Sequence, residues 1–173
     1  NMFSQTLPLI SDDKSLENRI ASSVYHSISD NLILSANFLL KTINSLEDNV
    51  RVSKRVFIPS RRLRGFESGK IGPKDGSQYI GGNYASSLNL NSTLPNLFFE
   101  NESIDFNFFL DFANVWEVDY DNSLDSNKIR SSTGIAFNWF SGIGPLTFSY
   151  AIPLSEADTD VTERFRFQIG TSF

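Results

Sequence analysis

Residues 104–113, with the sequence Ile-Asp-Phe-Asn-Phe-Phe-Leu-Asp-Phe-Ala, decide the fold because large apolar side chains alternate with small or acidic ones. A period of two places successive side chains on opposite faces of an extended strand. The same alternation is found in five other stretches, at residues 32–40, 84–90, 135–139, 146–152 and 165–173. Two further strands are placed mainly by their spacing, near residues 2–10 and 15–28. The pattern predicts an all-β protein of about eight antiparallel strands.

The polar face of these strands carries few charges. It consists mainly of Ser, Thr, Asn, Gly and Ala, and it is short of the Lys and Glu that normally cover a water-facing sheet. Such a face suits the hydrated interior of a transmembrane β-barrel, whose outer face turns Phe, Leu and Tyr toward lipid. A soluble β-sandwich, which would bury the apolar face, is the alternative. The composition of the polar face favours the membrane barrel.

The overall composition limits the chemistry. The chain has 173 residues, a formal net charge of −5, one histidine and no cysteine. Disulfides, thiol nucleophiles and metal sites built from clustered Cys or His are therefore excluded. His26 lies near several serines, but no GxSxG segment accompanies it, so no catalytic residue is assigned. Residues 119–125 are acidic but lack the glycine and final glutamate of a calcium-binding loop, so neither a metal nor a cofactor is expected.

A long connection at about residues 43–79 interrupts the alternation. Within residues 49–82 the sequence is basic and rich in glycine, and connections of this length are usually functional or disordered. Nucleic acid is not expected as a partner, because the net charge is acidic and no aromatic stacking platform interleaves with the cations. Residues 1–173 are predicted to form one domain that carries this loop.

The loop contains a motif, Leu63-Arg64-Gly65-Phe66, that resembles the (V/I)RG(F/Y) motif in the barrel of the BamA family, within the bacterial surface antigen superfamily. Other family motifs are matched in the same order along the chain. They are Gly72-Pro73, Gly81-Gly82-Asn83, Phe108 to Trp116, Gly134-Ile135-Ala136, Gly144-Pro145-Leu146 and Phe165 to Phe173. The resemblance runs from residue 50 to the end, and residues 1–48 carry no motif of their own.

The resemblance implies a sixteen-stranded barrel whose loop folds into the lumen, where the arginine of the motif meets acidic residues of the wall. Arg64 is the matching arginine and Asp111 the matching acid, and the alternation independently turns Asp111 to the polar face. A second family acid falls on Asn89, which carries no charge. A guanidinium and a carboxylate can form a bidentate, charge-assisted contact, and Gly65 allows a backbone shape that a Cβ would forbid. Phe66 is expected to anchor the loop tip.

The terminal strand resembles the signal by which outer-membrane barrels are recognised for assembly. Phe165, Phe167 and the C-terminal Phe173 match that signal, and Gly170 matches a family glycine at which the last strand bends. In this family the seam between the first and last strands is the gate for client strands, and a weak seam suits insertion by strand addition. The family's first strand is not found here, so only one side of the gate is expected.

Chain length decides how much of such a barrel is present. Sixteen strands of about 10 residues need on the order of 160 residues before any loop, so this chain corresponds to the C-terminal half. A closed eight-stranded barrel, too narrow for the loop, and two copies pairing edge to edge are alternatives. Because the first residue is Asn1 rather than methionine, we favour part of a longer chain, without its periplasmic domains and N-terminal half-barrel.

The function implied by the resemblance is that of a non-enzymatic insertase of β-barrel proteins in the bacterial outer membrane. The implied partners are outer-membrane lipid, unfolded outer-membrane protein clients and accessory assembly lipoproteins. Two alternatives stay open: a two-partner-secretion or TamA-type translocator of the same superfamily, and a small closed barrel with a structural role in the envelope.

Overall fold

The computed structural model describes residues 1–6, 14–46, 49–95, 104–125, 127–142 and 144–170. The strands described are β1 Met2–Thr6, β2 Ser15–Ser29, β3 Leu32–Ser45, β4 Gly65–Phe66, β5 Lys74–Asp75, β6 Gln78–Tyr79, β7 Tyr84–Pro95, β8 Ile104–Trp116, β9 Arg130–Ser141, β10 Gly144–Ser155, β11 Thr162–Glu163 and β12 Phe165–Ile169. Short 3-10 helices are described at Val52–Lys54, Ser60–Arg62 and Asn122–Leu124. None of the helices in the described ranges is long and apolar enough to cross a bilayer.

Eight of these strands form a single antiparallel sheet in the order β1-β2-β3-β7-β8-β9-β10-β12. Each strand of this sheet pairs with the strand of the same sheet that comes before or after it in the chain, as in an up-and-down barrel wall. The prediction of about eight antiparallel strands is confirmed. The sheet is not closed: β1 and β12 lie at its two edges and, in the described part of the chain, do not pair with each other. The alternative of a closed eight-stranded barrel is therefore wrong for this structure.

The sheet exposes its apolar face and covers its polar face, as a membrane barrel does. A soluble sandwich would bury the apolar face instead. On β7 and β8 the apolar residues Leu88, Leu90 and Phe108 are exposed. The polar residues Asn89 and Asp111 of the opposite parity are buried. We call the face that carries Asp111 the inner face. Its polar groups are buried because residues of the connection between β3 and β7 cover it.

This connection, residues 46–83, is called the long loop from here on. It begins later than the predicted residue 43 because β3 stays paired with β2 as far as Ser45, which lies opposite Ser15. It also ends later than residue 79, since β7 begins at Tyr84. The loop forms an apolar core with the inner face, made of Ile58, Leu63, Phe66 and Ile71 from the loop and Ala85, Ala113 and Val115 from the wall. Burial of these side chains fixes the loop against β7 and β8.

Candidate functional site

A bidentate ion pair joins the long loop to the inner face of β8. Arg64 donates from Nε to Oδ2 of Asp111 and from Nη2 to Oδ1, both at 2.7 Å. The backbone N–H of Arg64 donates to the same Oδ2 at 3.1 Å. The Asp111 side chain is fully buried and that of Arg64 is 16% exposed. This fork-to-fork geometry gives a charge-assisted contact with a fixed orientation.

The second predicted partner, Asn89, lies in the same network but not against the Arg64 guanidinium. Its Nδ2 donates to Oδ1 of Asp111 at 2.8 Å, and the two residues are directly paired between β7 and β8. The same amide also donates to the backbone oxygen of Arg62 at 2.8 Å. Asn89 therefore supports the carboxylate and a neighbouring arginine. The guanidinium of Arg64 instead reaches Asn91, to whose Oδ1 it donates at 2.8 Å.

Three residues of the site were missed by sequence reasoning: Asn91, Phe109 and Ser132. The guanidinium carbon of Arg64 lies 3.6 Å from the centroid of the Phe109 ring, a cation–π contact. The Ser132 hydroxyl donates to the backbone oxygen of Arg64. Phe109 could have been recognised from the alternation, because it is apolar but has the same parity as Asp111 and so lies on the inner face. Asn91 and Ser132 also have the parity of the inner face, but no sequence pattern singled them out as partners of Arg64.

Two glycines of the predicted set allow close approach of the loop to the wall. Gly65 has a φ of +89°, and a Cβ there would lie 3.1 Å from the Cβ of Ala151. A Cβ on Gly82 would lie 2.3 Å from the backbone oxygen of Trp116. Gly72 and Gly81 also lie in the loop, against wall residue Val115 and loop residue Phe57 respectively. A side chain at Gly65 or Gly82 would push the loop away from the sheet.

The tip of the motif is buried and is held by the last strand. Phe66 is 2% exposed, and β4 pairs with β11 through Phe66 opposite Thr162. Arg166 of β12 donates to the backbone oxygens of Ser60 and Phe66, at 2.7 and 2.5 Å. The same side chain forms an ion pair with Glu163. The last strand thus contributes directly to fixing the loop, which the sequence had not indicated.

Two further ion pairs lie at the rim of the sheet, which is the end at which β8 finishes and β9 begins. Arg130 and Asp160 form a bidentate pair at 2.9 and 3.0 Å, with both side chains fully buried. Arg55 donates from Nη2 to Asp119 at 2.5 Å. Burial opposes ionisation of Asp119, but hydrogen bonds from the Val50 N–H and from an asparagine side chain, together with the Arg55 charge, outweigh it and lower the pKa of this carboxyl.

The terminal strand lies at the sheet edge with its apolar side chains outward. Phe165 and Phe167 are 59% and 46% exposed, and the Phe167 ring lies 4.7 Å from that of Phe148 on β10. Gly170 follows β12 with a φ of +95° and donates its N–H to Pro145. The predicted signal residue Phe173 lies outside the described residues.

The ion pairs of the site hold the long loop in a fixed position on the wall. Within the described ranges no group of His, Asp and Glu side chains is arranged to hold a metal ion. In the described ranges the carboxylates of Asp111, Asp119, Asp160 and Glu163 are each bound by an arginine. Such an arrangement can lock a loop against a wall.

Comparison with known proteins places this geometry in a family. The Omp85 superfamily domain matches residues 2–173. Outer membrane protein assembly factor BamA of Neisseria meningitidis serogroup B is 31% identical over 139 residues, which are 64% of this chain and 17% of that protein. BamA of Nitratidesulfovibrio vulgaris is 26% identical over 175 residues, covering 96% of this chain and 21% of that protein.

A solved structure shows the same architecture. The crystal structure of BamA from Haemophilus ducreyi lacking POTRA domains 1–3 superposes with a TM-score of 0.83 and 28% sequence identity, over 92% of this chain and 35% of that chain. The chain spans about a fifth of the length of the curated relatives it matches. With the domain match covering nearly every residue, the chain belongs to the Omp85 superfamily.

Proposed function

We propose that this chain forms the C-terminal part of the barrel of an outer-membrane protein assembly factor. It is located in the bacterial outer membrane, and its outward apolar side chains suit contact with lipid. In this proposal residues 1–173 act as one partial barrel domain, with the long loop held inside it.

The observation that carries the proposal is the bidentate Arg64–Asp111 pair. It fixes the long loop, which carries the family motif, to the inner face of the wall. Asn89 donates a further hydrogen bond to Asp111, and Asn91 accepts one from Arg64. A barrel that opens at an edge to admit client strands needs the remaining wall to keep its shape. A loop braced to β8 by this pair, and to β12 by Arg166, would supply that rigidity.

The edge strand β12 is the element we assign to client contact. It pairs with β10 from Phe165 to Ile169, and its other edge has no strand partner in the described part of the chain. Gly170, with a positive φ, ends the regular strand. An edge with free backbone groups can pair with an incoming strand, which is recognition by strand addition.

The proposed activity is not enzymatic. Strand addition needs backbone hydrogen bonds and apolar contacts, so it requires neither a nucleophile nor a cofactor. The proposed partners are unfolded outer-membrane proteins as clients and assembly lipoproteins as accessory factors. The relatives that match this chain are named outer membrane protein assembly factors, which supports the choice of an assembly role.

A reconstitution assay tests the proposal. The protein that carries this chain is placed in lipid vesicles, an unfolded outer-membrane β-barrel protein is added, and folding is followed by the gel mobility of the unheated client. We expect folding to be faster than in empty vesicles, and Asp111→Asn to remove most of the acceleration. As a matched control, Lys128→Gln changes an exposed residue outside the site and should leave the rate unchanged.

Two outcomes would contradict the assembly role. One is client folding no faster than in empty vesicles. The other is transfer of a secreted passenger into the vesicle lumen with no effect on barrel folding, which would favour a translocator of the same superfamily.

A further inference from the structure

An apolar groove of about 550 Å³ lies on the outward face of the sheet, where it crosses β2, β3, β7 and β8. We call it the outer groove. It has the small residues Ala36 and Ser92 at its floor, and its walls include Val24, Leu34, Leu90 and Phe108. The Arg64–Asp111 pair lies on the opposite face, and none of the roles described above uses this groove.

The groove exists because two small side chains lie between larger ones. Ala36 of β3 is paired with Val24 on β2 and with Leu90 on β7. Ser92 of β7 likewise lies between larger apolar partners on β3 and β8. Because Ser92 follows Leu90 by two residues, Ala36 and Ser92 are diagonal neighbours on one face, about 7–8 Å apart. The two low points therefore form one continuous depression.

The width of the groove limits what it can hold. Val24 and Leu90 lie on strands that are two strand spacings apart, which is about 10 Å between their backbones. Their side chains narrow the opening further, so an α-helix with its side chains, about 10–12 Å across, cannot enter. A single hydrocarbon chain, whose carbon atoms contact the walls at about 3.5–4.0 Å, fits between them.

The groove is continuous with the surface that contacts lipid. Its walls are exposed, with Val24 at 62% and Phe108 at 52%, and the protein is located in the bacterial outer membrane. No Asp, Glu, Lys or Arg is among the described residues that line it. Hydrocarbon chains offer close contacts and no hydrogen bonds, so this lining suits an acyl chain.

One end of the groove is polar. His26 and Ser92 both line it, and both are paired with Leu34, two residues from the start of β3. This end is the nearer one to the two-residue turn Asp30-Asn31, whereas Ala36 lies further into the sheet. In outer-membrane barrels the short turns lie on the periplasmic side. The imidazole and the hydroxyl can donate to the ester oxygens of a lipid there.

We propose that the outer groove binds one acyl chain of a phospholipid from the periplasmic leaflet. The ester end of the lipid lies at His26 and Ser92, and its chain passes over Ala36. The chain fills a gap in the outer surface of the wall whose lining would otherwise lose van der Waals contacts. The proposal rests on the lipid-facing surface of the sheet, and it does not depend on the assembly role.

Native mass spectrometry tests the proposal on the protein that carries this chain, kept in mild detergent with palmitoyl-oleoyl phosphatidylethanolamine. We expect the parent to retain a phospholipid that Ala36→Phe does not retain, because the new ring occupies the floor of the groove. The matched control, Ile152→Phe, adds a ring to the lipid face outside the groove, at a residue that is 48% exposed, and should retain this lipid. Compact gel mobility of the unheated protein shows that each variant is folded.

Photolabelling in vesicles locates the chain. On illumination, a diazirine in the middle of one acyl chain of phosphatidylethanolamine loses nitrogen, and the resulting carbene inserts into a neighbouring bond. We expect the label to concentrate on Ala36 and Leu90 rather than on Ile152. A diazirine placed next to the ester should move the label toward His26.

Four results would overturn the proposal. They are a label spread evenly over the exposed apolar face, an ester-proximal label no nearer to His26, and equal retention of lipid by Ala36→Phe and Ile152→Phe. The fourth is a dimer without bound lipid that Ala36→Phe separates, because a second copy of the chain would then occupy the groove.

Discussion

Replacing Asp111 by Asn tests whether one ion pair holds the long loop against the wall. The substitution keeps the size of the side chain and leaves the loop sequence, including its protease sites, unchanged. It removes the negative charge and the bidentate acceptor of Arg64, whose Nε and Nη2 each donate at 2.7 Å. The loop should therefore detach more often while the sheet stays folded.

The size of the effect follows from the burial of the two partners. Removing one member of a buried ion pair typically costs 3–5 kcal/mol, and we take the lower end, about 3 kcal/mol. The lower end applies because the Arg64 side chain is 16% exposed and keeps its hydrogen bond to Asn91, so it can be partly hydrated. Since about 1.4 kcal/mol is a factor of ten, the population of the detached loop should rise about a hundredfold.

Limited trypsin digestion measures that population. Arg61 and Arg62 lie in the loop, and cleavage there reports loop detachment when reattachment is fast compared with cleavage. The matched control is Asp105→Asn, the same chemical change on the same face of β8. Trypsin should cleave the long loop of this variant at the same rate as in the parent. Equal cleavage rates for Asp111→Asn, Asp105→Asn and the parent would refute the reasoning.

Three further predictions concern packing, the rim and pH. Gly82→Ala should lower stability by about 2 kcal/mol, because a Cβ would lie 2.3 Å from a backbone oxygen of β8, whereas Gly142→Ala meets nothing within 4 Å and should be neutral in chemical unfolding. Arg130→Lys should cost about 2 kcal/mol, since an ammonium cannot reproduce the fork to Asp160, and an unchanged unfolding midpoint would contradict this. The pKa of Asp119 is lower in the folded protein than in the unfolded chain. Its contribution to folding stability is therefore complete above pH of about 4, and it is lost as the pH falls through the pKa of the folded state. Asp119→Asn should flatten the acid limb of the stability curve.

The strands and their faces could be predicted because they depend on local alternation. Phe108 and Asp111 fall on opposite parities, and the structure exposes the first and buries the second. The polar residues of each strand were enough to predict the inner face. The contact between Arg64 and Asp111 was predicted from the resemblance to the family motifs. Strand ends were less well predicted, because β3 continues to Ser45 through pairing with β2, which local pattern does not encode.

The remaining members of the site could not be predicted because their roles arise from contacts between distant segments. Asn91 and Asn89 have the same chemistry and parity, yet the guanidinium of Arg64 bonds to Asn91. Arg166 holds the loop tip over a separation of 100 residues from Phe66, and nothing in the terminal strand's alternation marks it.

The sequence by itself determined an all-β chain with one apolar and one polar face, and a basic loop whose motif points to a wide barrel. The two faces follow from side-chain period and composition, which act over a few residues, whereas the wide barrel is what the motif's resemblance to the BamA family implies. Only the tertiary structure decided that β1 and β12 do not pair with each other in the described part of the chain, and which amide completes the Arg64 network. Both depend on how segments far apart in the chain pack in three dimensions, where a shift of one or two residues exchanges one partner for another.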